Sequence, residues 1–316
     1  MKAKRFLFYI LLLLPALCGA QNIDFLKDLN FRNLADESYG RDERNRFDIM
    51  IPESDKPLPL VIFIHGGGFR HGDKNDLYKR KEDVKYFLEN KIAVATIIYR
   101  FYKNDDSLGV KVCLSDVQRA LQYIRHNASK YNIDKSKIAC YGISAGAGSS
   151  LFLAFHDDMA IPGDTTLAGE STRISCAGAI STQSTYDVFR WKKIIPWFRL
   201  IFFLKHKMLI NAAANFYGYR DYKSFKPHQE EITRSLDMMA MIDSHDPPVY
   251  LINPLKERFP GNDNVIQHHR SHALALSDAL KKAGVENYCF VYKRNKLEKE
   301  SDAEYPVRKF LADHLK

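Results

Sequence analysis

The segment with the clearest chemical meaning is Gly142-Ile143-Ser144-Ala145-Gly146, which follows an apolar run and precedes a run of small residues. A serine on a sharp turn between a strand and a helix projects its hydroxyl above the sheet. Glycines two residues before and after it let that turn pack closely. The N-terminus of the following helix directs backbone N–H groups towards a developing oxyanion. The pattern predicts that Ser144 is a nucleophile in acyl transfer.

A second segment, His65-Gly66-Gly67-Gly68, follows the apolar run Leu60–Ile64. Glycines in such a loop let the backbone approach a substrate and present N–H groups to it. We expect the N–H groups of Gly67, Gly68 and Ala145 to form an oxyanion hole. His65 is expected to hold the loop in place rather than to transfer protons.

Both segments follow apolar runs that would be strands of a sheet, and the rest of the chain predicts such a sheet. Short apolar runs alternate with helix-like stretches, and continuous apolar runs are typical of strands buried on both faces of a parallel sheet. This alternation predicts a doubly wound α/β fold. The expected strands are Phe47–Ile51, Leu60–Ile64, Ile92–Tyr99, Lys137–Tyr141, Cys176–Ser181, Val249–Asn253 and Tyr288–Tyr292. The expected helices are Leu77–Asn90, Ser115–Lys130 with Ser115 as its N-cap, Ser144–His156, His268–Lys282 ended by Gly284, and Tyr305–His314.

With these features the chain resembles the α/β-hydrolase fold over most of residues 40–316. The resemblance is to the esterase and lipase branch with an HGGG loop, close to hormone-sensitive-lipase-like and secreted polysaccharide-esterase-like members. It implies a mostly parallel central sheet with helices on both faces and a Ser–acid–His triad in that chain order. It also implies hydrolysis of carboxylic esters through an acyl-enzyme, without a metal or an organic cofactor.

The acid of such a triad is not obvious in this chain. It should follow the strand Val249–Asn253, where family members have Gly-x-x-Asp and this chain has Asn253-Pro254-Leu255-Lys256-Glu257. Glu257 falls nearest the expected place and Asp263 is the competing candidate. Both carboxylates would otherwise be solvated loop residues, as most surface acids are.

The base departs further from the pattern, because the loop after the last strand, residues 293–300, contains no histidine. A helix that follows a strand in this fold begins at the same edge of the sheet as the serine turn. His268 or His269, at the start of the helix after Val249–Asn253, is therefore the candidate base. The alternative is that these histidines are cap and surface residues. The chain would then be a catalytically degenerate relative that acts as a non-enzymatic binding protein.

One long segment interrupts the alternation of strands and helices. Residues from about 185 to 241 contain no clear strand, and within them Trp191–Lys205 is both apolar and basic. We expect a helical cap insertion over the carboxyl edge of the sheet, forming a lid over an acyl or aromatic pocket. The alternatives are helices packed only for stability and, less favoured, a helix lying on a membrane surface.

Composition limits the class of protein and the compartment. The chain has 316 residues, of which 46% are hydrophobic and 27% charged, and this composition indicates a folded domain. The net charge is +9 for the whole chain and +6 for residues 21–316, and the latter excess is too mild to predict a nucleic-acid partner. Lys2, Lys4 and Arg5 precede the apolar run Phe6–Cys18, which predicts a signal peptide over residues 1–20 and an exported domain over residues 21–316. An uncleaved N-terminal anchor is the alternative, and no later segment is expected to span a membrane.

Export would place a bacterial protein in the periplasm or the medium. The expected partner is then a small-molecule or polysaccharide-linked ester, while the oligomeric state stays open. Removal of residues 1–20 would also remove Cys18 and leave four cysteines. They include no CxxC pair, which disfavours a zinc site. We expect them to be free thiols rather than disulfides.

Overall fold

A central sheet of eight strands organises the molecule. The computed structural model describes residues 23–103, 108–256, 259–294, 296–297 and 303–316. The strand order is β1-β2-β4-β3-β5-β6-β7-β8, with the first two pairings antiparallel and all others parallel. The strands are β1 Phe31–Ser38, β2 Arg46–Pro52, β3 Leu58–Ile64, β4 Ala93–Ile98, β5 Ile133–Ile143, β6 Ala177–Ile180, β7 Val249–Asn253 and β8 Asn287–Val291.

The predicted α/β fold is confirmed, and the side chains of β3 show why its strand is continuously apolar. Leu60, Ile62 and Ile64 belong to the apolar cluster on one face of the sheet. Val61 and Phe63 belong to the cluster on the other face. Both faces are therefore covered, and no position along the strand is left for a polar residue.

Helices supply the cover on both faces. The α-helices are α1 Lys81–Glu89, α2 Val110–His126, α3 Ala145–Phe155, α4 Trp191–Ile194, α5 Phe198–Leu204, α6 His206–Phe216, α7 Tyr222–Phe225, α8 Gln229–Arg234, α9 Met238–Met241, α10 Asp263–Gln267, α11 Arg270–Ala283 and α12 Val307–Asp313. Short 3-10 helices cover Asp24–Leu26, Lys74–Lys79, Leu167–Gly169 and Lys226–His228. Buried residues of α2, α3 and α11 join the first cluster, and those of α1 and α12 join the second.

Three details of the secondary structure differ from expectation. Strand β1 was not predicted, because this edge strand is only partly buried and has no apolar run. The proposed N-cap Ser115 is wrong. Helix α2 begins at Val110 after Gly109, and the Ser115 hydroxyl donates to the carbonyl of Val112 at 2.9 Å. Burial of the apolar side chains that precede Ser115 extends the helix towards its N-terminus.

The helix predicted over His268–Lys282 corresponds to α11, which begins at Arg270. His268 and His269 lie between it and the short preceding helix α10, which was not predicted. Gly284 ends α11 in the left-handed conformation with φ 80°, as expected for a glycine at a helix C-terminus.

Between β6 and β7 the chain forms the six short helices α4 to α9 and, in this fully described stretch, no strand. Trp191, Phe198 and Ile201 form a small apolar cluster with Ile266 of α10. This packing places the inserted helices beside the turn that follows β7. The role of the insertion as a lid stays a prediction.

The structure also shows the state of the cysteines and the character of the helices. Cys113, Cys140, Cys176 and Cys289 are free thiols, as expected. Within the described ranges, no helix combines the length and the apolar character that crossing a bilayer requires. The expected signal peptide, residues 1–20, lies outside the described residues.

Candidate active site

Ser144 lies at the junction of β5 and α3 in a strained backbone conformation. Its φ of 54° and ψ of −115° fall in a region that residues other than glycine rarely adopt. The turn packs directly on the neighbouring strand β3. A methyl group at Gly142 or Gly146 would collide with the carbonyl oxygen of Ile64. The two glycines therefore allow the close approach that holds the Ser144 hydroxyl at the carboxyl edge of the sheet.

His268 contacts this hydroxyl. Its Nε2 lies 2.8 Å from Ser144 Oγ, and its Nδ1 lies 2.8 Å from Asn264 Oδ1. The amide oxygen can only accept, so this pairing assigns the ring proton to Nδ1 and leaves Nε2 free to accept the serine proton. Burial lowers the pKa of His268 from its usual 6.5, and a hydrogen bond to the backbone of Asn264 offsets part of that shift. The ring is therefore neutral at pH 7, as a general base must be.

Local interactions explain why His268 reaches this position. The side chain of Asn262 caps α10 by accepting from the N–H of Val265 at 3.0 Å. Asn264 and His268 are four residues apart and so share one side of this short helix. Asn253, at the end of β7, donates to the carbonyl oxygens of His268 at 3.4 Å and of His269 at 3.3 Å. That contact holds the break between α10 and α11 against the sheet.

The neighbouring histidines have other partners. His269 is buried and caps α11, its Nδ1 accepting from the N–H of Ser271 at 3.2 Å. His272 is fully buried, with Nδ1 accepting from the N–H of Ser184 at 3.1 Å and Nε2 lying 3.0 Å from the carbonyl oxygen of Ile266. Burial lowers the pKa of His272 to about 3. Of these three histidine rings, only that of His268 hydrogen-bonds the Ser144 hydroxyl.

Among the described residues, the side chain that pairs with His268 Nδ1 is that of Asn264. Glu257 lies outside the described residues. Asp263 is the exposed first residue of α10 and lines the cleft, but no hydrogen bond joins it to His268. Asn264 occupies that place, and sequence reasoning missed it because it considered only carboxylates. The signal available was the spacing of four residues between Asn264 and His268.

The glycine loop after β3 faces the same cleft as Ser144. Gly67 and Gly68 have φ of 106° and 58°, and the N–H groups of Arg70 and His71 donate to the carbonyl of Gly67 at 3.0 and 3.1 Å. Gly67, Gly68 and Ala145 all line the cleft. Within the described part of the chain, the N–H groups of Gly67 and Gly68 donate to no other residue. They are thus available to an oxygen atom bound beside Ser144.

His65 supports this loop from beneath. Its side chain is fully buried and stacks on Tyr99 with ring centres 4.3 Å apart. Its Nδ1 lies 2.7 Å from the carbonyl oxygen of Gly66, and burial lowers its pKa to about 4. These contacts hold the ring neutral and in place, as expected of a structural residue.

The cleft above Ser144 has a volume of about 950 Å³. Its floor is polar and includes Ser144, His268 and Gln183. Its wall comes mainly from the insertion between β6 and β7 and is apolar and aromatic, formed by Val188, Trp191, Phe198, Phe202, Leu209 and Phe216. A cleft with few polar groups at one end and an apolar wall suits an acyl or aryl group beside a polar reacting centre.

Comparison with known proteins places this geometry in a family. The model of the family described as BD-FAE matches residues 47–277, which include the glycine loop, the serine turn and the start of α11. Among solved structures, a truncated form of a carbohydrate esterase from gut microbiota aligns over 90% of this chain and 96% of its own, with a TM-score of 0.61 and 17% identity.

Curated relatives match over shorter stretches. Gut esterase 1 of Caenorhabditis elegans is 27% identical over 118 residues, covering 35% of this chain and 21% of that protein. Chlorogenic acid esterase of Aspergillus niger is 31% identical over 105 residues, covering 31% of this chain and 20% of that protein. The matched part is therefore about a fifth of each relative's length.

Proposed function

This chain belongs to the BD-FAE family, and on that basis we propose that it is a serine esterase that hydrolyses carboxylic esters through an acyl-enzyme on Ser144. The observation that carries the proposal is the pair of contacts on His268: Nε2 lies 2.8 Å from the serine hydroxyl, and Nδ1 lies 2.8 Å from Asn264 Oδ1. A nucleophile, a base and a group that orients the base are the elements that activate a serine.

In the proposed reaction, Ser144 Oγ attacks the ester carbonyl carbon while His268 Nε2 takes the hydroxyl proton. The N–H groups of Gly67, Gly68 and Ala145 stabilise the oxyanion that forms. His268 then gives its proton to the departing alkoxide, the C–O bond breaks and the alcohol leaves. Water, deprotonated by His268, attacks the acyl-enzyme and releases the carboxylic acid, and the proton returns to Ser144. No metal or organic cofactor enters these steps.

Asn264 is uncharged, which distinguishes this proposed proton relay from one that contains a carboxylate. A neutral amide orients the imidazole and selects its tautomer, but it supplies no negative charge to the imidazolium that forms during attack. Asn264 thus acts as a positioning residue in place of the usual acid.

The substrate class proposed is a small ester or an ester carried by a polysaccharide. The apolar and aromatic wall of the cleft accommodates an acyl or aryl group. The names of the solved carbohydrate esterase and of the chlorogenic acid esterase point in the same direction. We further propose that residues 1–20 direct export and that the insertion between β6 and β7 covers the bound acyl group.

Labelling with a fluorophosphonate tests the proposal, because this probe reacts with an activated serine and does not require the natural substrate. Wild type should be labelled, Ser144→Ala should not, and His268→Asn should be labelled at least about a hundredfold more slowly, since base catalysis contributes about 10² to 10⁴ in rate. His269→Asn is the matched control. It changes the adjacent histidine, and asparagine keeps the capping function at α11.

The outcomes separate the two function classes. Labelling that is lost in Ser144→Ala and His268→Asn but kept in His269→Asn supports the esterase and justifies a screen of acetyl, feruloyl and other aryl esters. A wild type that is folded by circular dichroism yet unlabelled would favour the non-enzymatic binding protein. Loss of labelling in His269→Asn but not in His268→Asn would show that His269, rather than His268, is the base.

A further inference from the structure

The outer surface of α5 and the start of α6 exposes an unusual amount of apolar side chain. The structure describes nine large hydrophobic residues as exposed, and five of them lie within twelve residues of the chain. These five are Trp197, Leu200, Phe203, Leu204 and Met208, with exposed fractions of 67%, 49%, 78%, 70% and 56%. A concentrated apolar patch of this kind marks an interaction site more often than scattered exposed residues do.

This exposure is not required by the core. Phe198 and Ile201, on the inner side of α5, are already buried, and Phe198, Phe202 and Leu209 line the cleft. The helix pair is therefore apolar on two sides, one facing the cleft and one facing solvent. A helix that only packs on the core would carry polar residues on its outer side.

The formally charged residues within this segment of the chain all have one sign. Residues 191–210 include the five cations Lys192, Lys193, Arg199, Lys205 and Lys207 and no aspartate or glutamate. In the part of the chain that the structure describes, none of the five forms an ion pair. A run of cations beside exposed apolar groups attracts a partner that is negatively charged and apolar in part.

Three of these cations converge on one hollow. Lys192, Lys193 and Arg199 line a depression of about 660 Å³ together with Phe202, Phe203 and His206. The ammonium group of Lys192 lies 5.1 Å from the centre of the Phe202 ring. The hollow opens on the outer surface and lies beside the exposed Phe203. It offers cationic donors for a phosphate group next to apolar side chains.

Trp197 is held in a strained conformation at the start of α5. Its φ of 65° and ψ of −11° are left-handed, which is uncommon for a bulky residue. Burial of the side chain does not offset this strain, because Trp197 is two-thirds exposed. An outlier of this kind, at the edge of an apolar patch, points to a site of interaction.

We propose that this basic aromatic surface, residues 191–208, docks on a bilayer that contains anionic phospholipid. The hollow receives a headgroup phosphate, and Trp197, Leu200, Phe203, Leu204 and Met208 enter the boundary between headgroups and acyl chains. A second copy of the chain is disfavoured as the partner, because the same cations would face each other. An acidic polysaccharide would match the charge but leave the five apolar side chains in water. Docking is independent of the chemistry at Ser144 and turns the cleft-forming helices towards the membrane.

Tryptophan fluorescence of the full chain tests the docking directly. The chain has two tryptophans, of which Trp191 is buried and Trp197 exposed. Vesicles of phosphatidylcholine with phosphatidylglycerol, brominated on the acyl chains, should shift the emission to the blue and quench it. Phosphatidylcholine vesicles should do neither. Trp197→Phe should remove the response. Because the signal comes from Trp197, insertion of the apolar residues 6–18 would not reproduce it.

Charge variants distinguish attraction of the vesicles by this surface from attraction by the net charge of the protein. Lys193→Glu with Arg199→Glu should weaken binding to the anionic vesicles at least about 30-fold, since each basic residue near such a surface contributes about a fivefold factor. Lys281→Glu with Lys282→Glu changes the net charge equally, on two exposed residues of α11, and should leave binding nearly unchanged. Phe203→Ser with Leu204→Ser should also weaken binding. All three double variants should keep wild-type hydrolysis of a soluble ester.

Each contrary result overturns the docking proposal without touching the esterase proposal. The docking proposal would be refuted if anionic vesicles neither shifted nor quenched the emission of Trp197. Quenching by neutral vesicles as strong as that by anionic vesicles would show that the cations do not contribute to binding. Equal weakening by the α11 pair would attribute binding to net charge alone. A response to soluble polygalacturonate but not to vesicles would assign the surface to an acidic polysaccharide.

Discussion

Replacing Asn264 with aspartate would place a negative charge against the ring nitrogen of His268 that faces away from Ser144. The contacting atom Oδ1, which lies 2.8 Å from His268 Nδ1, is retained; the amide nitrogen becomes the second carboxylate oxygen, and the side chain is nearly isosteric. The acceptor that orients the ring is kept, and only its charge changes. Asn264→Leu is the companion variant, since it has similar size and provides no acceptor.

The size of the effect follows from distance and exposure. Two unit charges about 4 Å apart interact with about 1 kcal/mol in water and about 4 kcal/mol at the effective dielectric of a protein surface. Residue 264 is exposed while His268 is partly buried, so the lower part of this range applies. About 1.4 kcal/mol corresponds to one pKa unit. Asn264→Asp should therefore raise the pKa of His268 by about one unit and raise kcat up to about tenfold, because the imidazolium becomes more stable.

The assay is the pH dependence of kcat/KM on a soluble aryl ester. His268 acts as a base only when neutral, so activity falls as the pH drops through its pKa. Burial lowers that pKa from 6.5, which places the acid limb of the wild type below pH 6.5. The limb of Asn264→Asp should move up by about one unit. Asn264→Leu should lower kcat about 10- to 100-fold, because the ring is no longer oriented.

Two results would refute the reasoning. An unchanged acid limb in Asn264→Asp would show that residue 264 does not contact the base in the working enzyme. Equal loss of kcat in the aspartate and leucine variants would show that the position matters only for packing. Thermal unfolding of each variant separates both results from a general loss of structure.

Two further predictions concern stability. Lys74 lies 2.8 Å from Asp48, whose side chain is wholly buried, so Lys74→Met should cost about 3 to 5 kcal/mol in urea unfolding by leaving that charge uncompensated. Lys79→Met, which removes an exposed pair, should cost less than about 1 kcal/mol, and similar losses in both would contradict the role of burial. Gly146→Ala forces a methyl group onto a carbonyl of β3 and should lower stability by about 1 to 3 kcal/mol or more and abolish fluorophosphonate labelling. Gly261→Ala, at an exposed glycine with only ordinary contacts, should stay within about 0.5 kcal/mol of wild type and keep its labelling; a matching loss there would show that the effect is not specific to the serine turn.

Local spacing was sufficient for the parts of the site that are built from consecutive residues. The serine turn and the glycine loop each depend on residues within a few positions of one another, beside an apolar strand. The glycines at 142 and 146 are required by the close approach to β3, which the sequence pattern already predicts. The parallel sheet was predictable for a similar reason, because strands buried on both faces must be apolar throughout.

The edge of the sheet and the ends of helices were less predictable. Strand β1 is half-buried and pairs with only one neighbour, so its composition differs little from that of a loop. Helix α2 begins five residues before the predicted N-cap Ser115, because tertiary burial of its first apolar residues outweighs the capping preference. In both places, contacts with distant parts of the chain decided the conformation.

From the sequence alone, the chain is an α/β protein with a serine turn, a glycine loop and two adjacent histidines that could supply a base. The choice between His268 and His269 came only from the tertiary structure. Asn253, fifteen residues earlier, binds the backbone between α10 and α11 and so directs one ring to Ser144 while the other caps a helix. The pairing of His268 with Asn264 likewise depends on where α10 begins. Spacing along the chain defines which residues can meet, whereas long-range packing decides which of them do.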